Sequence, residues 1–236
     1  DTSAIEGATN YPYSLKHVRV RHTHVDAGVP ISYWRSVGHS HTAFAVETFM
    51  DEIAHQTGQD PLAFRLARLD NAPRWRQVLE QVARRAGWGT PLAEGRARGL
   101  AVHESFGSYV AQVVEVAIEH GEIRVHKVWC AVDCGFVVNP DIVHAQMESG
   151  IIFGLTAALY GEIHLDNGAV RESNFHDQPL LRLHQSPAID VLIVDSEAPP
   201  SGVGEPAVPP VMPALGNALF ALTGKRQRRM PFKAEV

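Results

Sequence analysis

The run Tyr109-Val110-Ala111-Gln112-Val113-Val114-Glu115-Val116-Ala117-Ile118-Glu119-His120-Gly121-Glu122-Ile123-Arg124-Val125-His126-Lys127-Val128-Trp129-Cys130-Ala131-Val132 reads as two strands joined by a tight turn. Valine and isoleucine dominate both halves, and β-branched side chains suit a pleated, packed surface. His120-Gly121 is the two-residue connection, a composition that favours a hairpin. Arg98 to His103 extends the pattern upstream and Ala188 to Val194 reads as a buried strand downstream. A further hairpin is expected around Asp166-Asn167-Gly168.

Helical spacing flanks these strands. Ala43, Val46, Met50 and Ile53 recur on one face between Ser40, a candidate cap, and Thr57, with Gly58 as the stop. Asp60-Pro61 is a cap followed by a proline in the first turn, opening a short helix through Leu69. Pro73 to Ala86 is amphipathic through Trp75, Val78, Val82 and Ala86, with Gly87 as its end. Asn139-Pro140 opens a long helix to Leu159, and a last helix runs from about Val208 to Leu222. Prolines 209, 210 and 213 fit only its first turns. His17 to Val25 alternates with Val18 and Val20 on one face, which predicts a strand. The expected class is α+β, with mixed sheets and packed helices. The polar stretch Pro91 to Gly99 suggests a boundary between a first α+β subdomain, 1–90, and a second, 91–236.

The 236 residues are 45% hydrophobic and 20% charged, an ordinary globular composition with enough apolar material for a sizeable core. The net charge of −5 gives no basic excess for nucleic acid. The short cluster Lys225-Arg226-Gln227-Arg228-Arg229 reads as solvated or partner-facing. No run reaches the roughly 18 apolar residues of a membrane span, so none is expected. Cys130 and Cys134 are too few for a four-thiolate zinc or iron–sulfur site and read as buried thiols. The histidine pairs His22/His24 and His39/His41 form no metalloprotease pattern, and no metal ligand is assigned.

Three stretches could carry chemistry. In Ser201-Gly202-Val203-Gly204-Glu205-Pro206, one carboxylate sits in a glycine loop stiffened by prolines, where a strand meets a helix. Such a loop can aim backbone N–H groups at an anion and hold an acid in register, or it is a surface turn that caps the last helix. In Gln146 to Gly154, Gly150 and Gly154 share a helical face. Interior glycines cost about 0.5–1 kcal/mol each, so something approaches closely there, another helix or a ligand. Tyr33-Trp34-Arg35-Ser36-Val37-Gly38 is an ordered loop that either lines a pocket or simply packs.

Together and in this order, the three stretches resemble the molybdopterin-binding large subunits of the xanthine oxidase / aldehyde oxidoreductase family, nearest the branch of the isoquinoline 1-oxidoreductase beta subunit. Val203-Gly204-Glu205-Pro206 resembles the segment bearing that family's catalytic glutamate. Gln146 to Leu155 resembles its Gln-x-Glu-Gly helix, and Trp34 to Gly38 its Phe-Arg-Gly-x-Gly loop, with Arg35 on the family arginine. The likeness runs from about Tyr11 to Phe232. Ser149 departs from the family glycine, and Trp34 and Ser36 replace Phe and Gly. The family's Gly-Gly-x-Phe-Gly and Met-Gly-Gln-Gly segments do not occur and would lie upstream of Asp1.

The resemblance implies a fold like the C-terminal cofactor-binding domain of those enzymes. It implies a molybdenum centre carried by a molybdopterin dinucleotide in its cytosine form and not by protein ligands, with Glu205 as the base. Trp34, Arg35, Gln146, Gly202, Val203 and Gly204 would face the cofactor. Implied partners are the remainder of the molybdenum subunit, a small subunit holding [2Fe-2S] clusters, and a small-molecule substrate, an N-heterocycle or an aldehyde. Trp34, Phe106, Tyr109 and Phe175 are candidate pocket aromatics. Cytoplasm and periplasm both remain open. The alternative is a catalytically silent assembly module that keeps the fold.

Overall fold

The computed structural model describes residues 2–26 and 28–234. After a short 3-10 turn at Thr2–Ile5 come three α-helices: α1 (His39–Gln56), α2 (Pro61–Leu66) and α3 (Pro73–Ala86). Strands β1 (Arg96–Ser105), β2 (Ser108–Glu119) and β3 (Glu122–Asp133) follow, then the long helix α4 (Pro140–Tyr160). The small hairpin β4 (Leu165–Asp166) and β5 (Ala169–Val170), strand β6 (Ala188–Ile193) and helix α5 (Val208–Thr223) complete the chain.

One four-stranded sheet, in the order β1-β2-β3-β6, organises everything. Its first three strands are antiparallel neighbours, and β6 joins β3 in parallel after the α4 crossover. Successive side chains point to opposite faces of a strand, and here both faces are covered. Leu100, Val102, Ala111, Val113, Trp129 and Ala131 meet α3 through Trp75, Val78, Leu79 and Val82. The alternate set, including Ala101, Val110, Val114, Val128, Cys130 and Val132, meets α4 and α5. Covering both faces explains why β2 reads as a nearly unbroken apolar run and not as an alternation.

The turns follow from residue chemistry. His120 and Gly121 both have positive φ, 54° and 80°, as a tight hairpin requires. Asn167 (48°) and Gly168 (83°) repeat this between β4 and β5. The Asp60 side chain accepts from the Ala63 N–H, and that of Asn139 from the Ile142 N–H, capping α2 and α4. Gly87 and Gly224 end α3 and α5 in the left-handed region.

Several expectations are corrected. His17–Val25 forms no strand and lies exposed along the surface. Ser40 is not a cap: α1 begins at His39, and the Ser40 hydroxyl donates to the Val37 carbonyl. Helix α2 stops at Leu66, short of Leu69. Strand β6 is a half-buried edge, since among the described residues β3 is its only neighbour in the sheet. The basic cluster is partly tied down, with Arg226 paired to Asp51 at 2.6 Å and Arg228 to Glu52 at 2.7 Å. Helix α4 is long and apolar enough to cross a membrane by length and composition, with mean hydropathy 1.3. Its Val143, Met147, Ile151 and Leu155 pack in the core. Both cysteines are buried free thiols, as read from sequence, and burial pushes Cys130 up to about 12.

A buried ionic node fixes α1 to its surroundings. Glu47 accepts from the Tyr13 hydroxyl at 2.6 Å, from Arg65 Nε at 2.9 Å and from the Val102 N–H at 3.1 Å. Because each charge is paired and hydrogen-bonded, this node avoids the large penalty of an isolated buried ion.

Candidate active site

The 201–206 loop is stitched to the strand ends. The Ser201 N–H donates to the Cys134 carbonyl at 2.9 Å, and the Gly202 N–H to the Phe106 carbonyl at 3.2 Å. The Ser108 hydroxyl donates to the Gly202 carbonyl at 2.6 Å. These bonds fix the approach to Glu205, whose carbonyl then accepts from the Val208 N–H at 3.0 Å as α5 begins.

The turn before α1 arrives from the other side. Ser36 and Val37 occupy the left-handed region, φ 77° and 50°, which costs energy for residues with a Cβ. That conformation lets the fully buried Ser36 grip Glu205 twice. Its N–H donates to Glu205 Oε1 at 2.9 Å, and its hydroxyl donates to the Glu205 carbonyl at 2.8 Å.

Arg35 completes the junction. Its Nε donates to the Gly204 carbonyl at 2.8 Å, with a second short contact from Nη2 to the same oxygen. Nη1 reaches Ser149 Oγ at 3.1 Å and Nη2 reaches Gln146 Oε1 at 3.2 Å. The guanidinium lies 5.4 Å from the Phe153 ring centre, and Trp34 stacks on the same ring at 4.8 Å. Burial holds the Arg35 pKa below its usual value, opposed by the Glu205 charge.

Trp34, Arg35, Gln146, Gly204 and Glu205 therefore converge, and Gly202 and Val203 lie in the same loop. Two details differ from the sequence expectation. The Gly202 N–H is taken by Phe106 and so is not a free donor for an anion. Gln146 lies within α4, where the backbone N–H serves the helix, so its contribution is its side-chain amide. The close approach at Gly150 and Gly154 is to another helix: a Cβ there would meet Ala207 Cβ at 2.7 Å and Val211 Cγ1 at 2.4 Å.

The four candidate aromatics do not form one wall. Tyr109 sits edge-on to Trp75 and under Arg74, while Phe175 is exposed elsewhere. Phe106 lies 5.5 Å from the ring of His39.

The sequence reading gave no role to Ser36, Phe153 or the pair His39–His103. His39 Nδ1 and His103 Nε2 are 2.9 Å apart, and both side chains are buried. Burial first, and the neighbouring His39 second, push His103 down to about 3, so it is neutral. Burial also lowers His39, opposed by Glu6, Glu104 and Glu205. No local spacing signals a pair contributed by α1 and β1. The Ser36 contacts likewise span 169 positions.

Two family models, each described as a molybdopterin cofactor-binding domain, match residues 2–69 and 46–187. The chain belongs to the molybdopterin cofactor-binding domain family. It is 40% identical over 210 residues to the beta subunit of isoquinoline 1-oxidoreductase from Brevundimonas diminuta, covering 87% of this chain and 27% of that protein. It is 33% identical over 244 residues to a nicotinate dehydrogenase subunit from Pseudomonas putida, covering 95% of this chain and 20% of the relative. The chain thus spans less than a third of the length of either relative. Quinoline 2-oxidoreductase from Pseudomonas putida 86 shares the fold, with a TM-score of 0.70 at 12% identity over 83% of this chain and 50% of that one. The mixed sheet with packed helices is that fold.

The junction is chemically compatible with the molybdopterin group for which the family is described. A Cβ added at Gly204 would meet nothing within 4 Å, so the loop borders open space. The Arg35 guanidinium and the Gln146 side-chain amide are donors suited to an anionic organic group. Among the described residues, no three or more His, Cys, Asp or Glu are grouped to hold a metal ion directly.

Proposed function

We propose that this chain is the part of a molybdenum hydroxylase that carries the catalytic base, acting on an N-heterocycle or an aldehyde with oxygen derived from water. The observation that carries the proposal is Glu205, fixed by Ser36 and bordered by Arg35, Gln146 and an open glycine loop. Relatives named for isoquinoline, nicotinate and aldehyde oxidation support the substrate class. The bound molybdenum cofactor, in its cytosine dinucleotide form, would supply the two-electron redox chemistry.

This chain's residues supply the rest. Only Oε1 of Glu205 accepts a hydrogen bond among the described contacts, leaving Oε2 available to take a proton. Arg35 holds the Gly204 carbonyl and so fixes the carboxylate's approach. Arg35, Gln146 and the Gly202–Gly204 backbone, with Trp34 beside them, form the cofactor-facing wall. Residues 1–90 contribute the Arg35 turn, and residues 91–236 contribute the Gln146 helix and the Glu205 loop. The remainder of the molybdenum subunit completes the enclosure, and electrons leave to a [2Fe-2S] subunit.

Metal and pterin analysis of the purified assembly, with substrate reduction followed by stopped flow, tests this. Molybdenum, pterin and rapid reduction are expected. An assembly that holds neither group and turns over none of these substrates is the silent module instead.

A further inference from the structure

The exposed strap between Tyr13 and Tyr33 does not behave as its sequence directs. Residues 17–25 alternate around Val18 and Val20, which share one face, with His17, Arg19 and Arg21 on the other. Four β-branched residues, Val18, Val20, Thr23 and Val25, add strand propensity. Yet the segment lies outside both sheets, and Val18 and Val25 are 53% and 76% exposed. Among the described contacts, no backbone–backbone hydrogen bond involves residues 15–26.

Both ends of the strap are anchored. Before it, the Ser14 N–H donates to the Arg68 carbonyl at 2.9 Å, and Tyr13 is bonded to buried Glu47. After it, Arg35 and Ser36 grip the Glu205 loop. A solvated segment outside helix and sheet, with strand patterning and fixed ends, is suited to β-addition. In that mode main-chain bonds supply affinity and alternate side chains supply specificity.

We propose that residues 15–25 are a β-strand awaiting its neighbour, and that the neighbour is an edge strand in the remainder of the molybdenum subunit, on the same or a separate polypeptide. This rests on the functional reading above. Two observations favour that occupant. The chain covers 27% and 20% of its two relatives, so most of each lies outside the matched region. The strap also precedes the turn that carries Arg35, whose guanidinium holds the Glu205 loop. A second copy is disfavoured by charge. Antiparallel self-pairing centred on Val20 would set Arg19 opposite Arg21 twice, and like charges directly opposite destabilise a ladder. The neighbouring strand should instead offer apolar side chains to Val18 and Val20 and acidic or polar ones to Arg19 and Arg21.

The test uses the assembled subunit. Peptide-resolved hydrogen exchange should show protected amides within residues 15–25, and Arg19→Pro and Val20→Pro should be compared for association with the remainder. An edge strand presents alternate N–H groups to its neighbour, so at least one of these prolines should weaken association tenfold or more. The strap lies outside both cores, so neither change should unfold the chain, and a thermal melt checks this. An assembly that holds molybdenum while residues 15–25 exchange freely and both prolines are tolerated would overturn the strand and leave the functional reading standing. Failure of the two parts to associate or hold molybdenum would overturn that reading and the strand with it. Protection that instead rises with the concentration of this chain alone would identify a second copy and overturn the proposed occupant.

Discussion

The Ser36 N–H donates to Oε1 of Glu205 at 2.9 Å while the Ser36 hydroxyl donates to the Glu205 carbonyl at 2.8 Å. One residue thus orients both the side chain and the backbone of the candidate base. The turn that makes this possible holds Ser36 and Val37 at positive φ. Backbone strain of this kind persists only where surrounding contacts over-determine it. Here those contacts are the two Glu205 bonds and the Arg35 fork.

Glu205→Gln should leave this junction assembled. The amide oxygen can still accept from Ser36, and the change is nearly isosteric. It cannot take a proton at neutral pH, and positioned general bases contribute about 10²–10⁴-fold. In the assembled enzyme, cofactor content should stay normal while reduction by substrate slows by at least that range. Reduction by dithionite should be unchanged. Substrate reduction at the parent rate would make Glu205 a structural loop residue.

Arg35→Lys tests the fork. Lysine keeps the charge but offers one compact ammonium in place of a planar set of donors. It cannot serve the Gly204 carbonyl, Ser149 and Gln146 together. A hydrogen bond to a charged group contributes about 1.5–3 kcal/mol, so losing one or two predicts a drop of roughly tenfold or more in kcat/KM or cofactor retention. Molybdenum content and steady-state kinetics separate the two effects. Unchanged values for both would show that the fork is dispensable.

Gly154→Leu probes helix packing and needs no cofactor for its readout. The new side chain would begin 2.4 Å from Val211 Cγ1 and drive α4 from α5. Overpacking commonly costs about 1–3 kcal/mol, and the absence of any slack here points to the upper part of that range. Thermal or urea unfolding measures it. Stability equal to the parent would mean that the two helices separate without penalty.

The His39–His103 pair predicts an acid-sensitive fold. The folded pKa of His103, about 3, lies below its unfolded value near 6.5. The unfolded chain therefore binds the proton more readily across that interval. The contribution of neutral His103 is complete above pH 6.5 and is lost as pH falls toward 3. His39, also lowered by burial, acts in the same direction. His103→Gln removes one of these titrations, so urea midpoints measured between pH 7 and 4 should fall less steeply than in the parent. Parallel pH profiles would place the acid sensitivity elsewhere.

Much of the architecture was legible in local patterns because its causes are local. Helix caps at Asp60 and Asn139, the stop at Gly87, and the His120-Gly121 turn depend on neighbours within a few residues. The β2–β3 hairpin and the extent of α3 follow from the same kind of information. Glu205, Arg35 and Gln146 stood out because unusual residues surrounded them and because their order resembles a known family. Alternation misled at His17–Val25, since a strand needs a hydrogen-bonding neighbour as well as a pattern, and none lies beside it among the described residues.

By itself, then, the sequence determined most of the helices and strands, several of their ends, and which residues deserved attention as a site. Only the tertiary structure decided what those residues do to one another. It assigned Gly150 and Gly154 to contact with α5, took the Gly202 N–H for Phe106, and brought Ser36 onto Glu205. It also buried His39 against His103 and split the candidate aromatics among separate environments. The physical reason is range. Dihedral preference and capping act over one turn of chain, whereas these contacts form only after the sheet has fixed the positions of elements far apart in sequence.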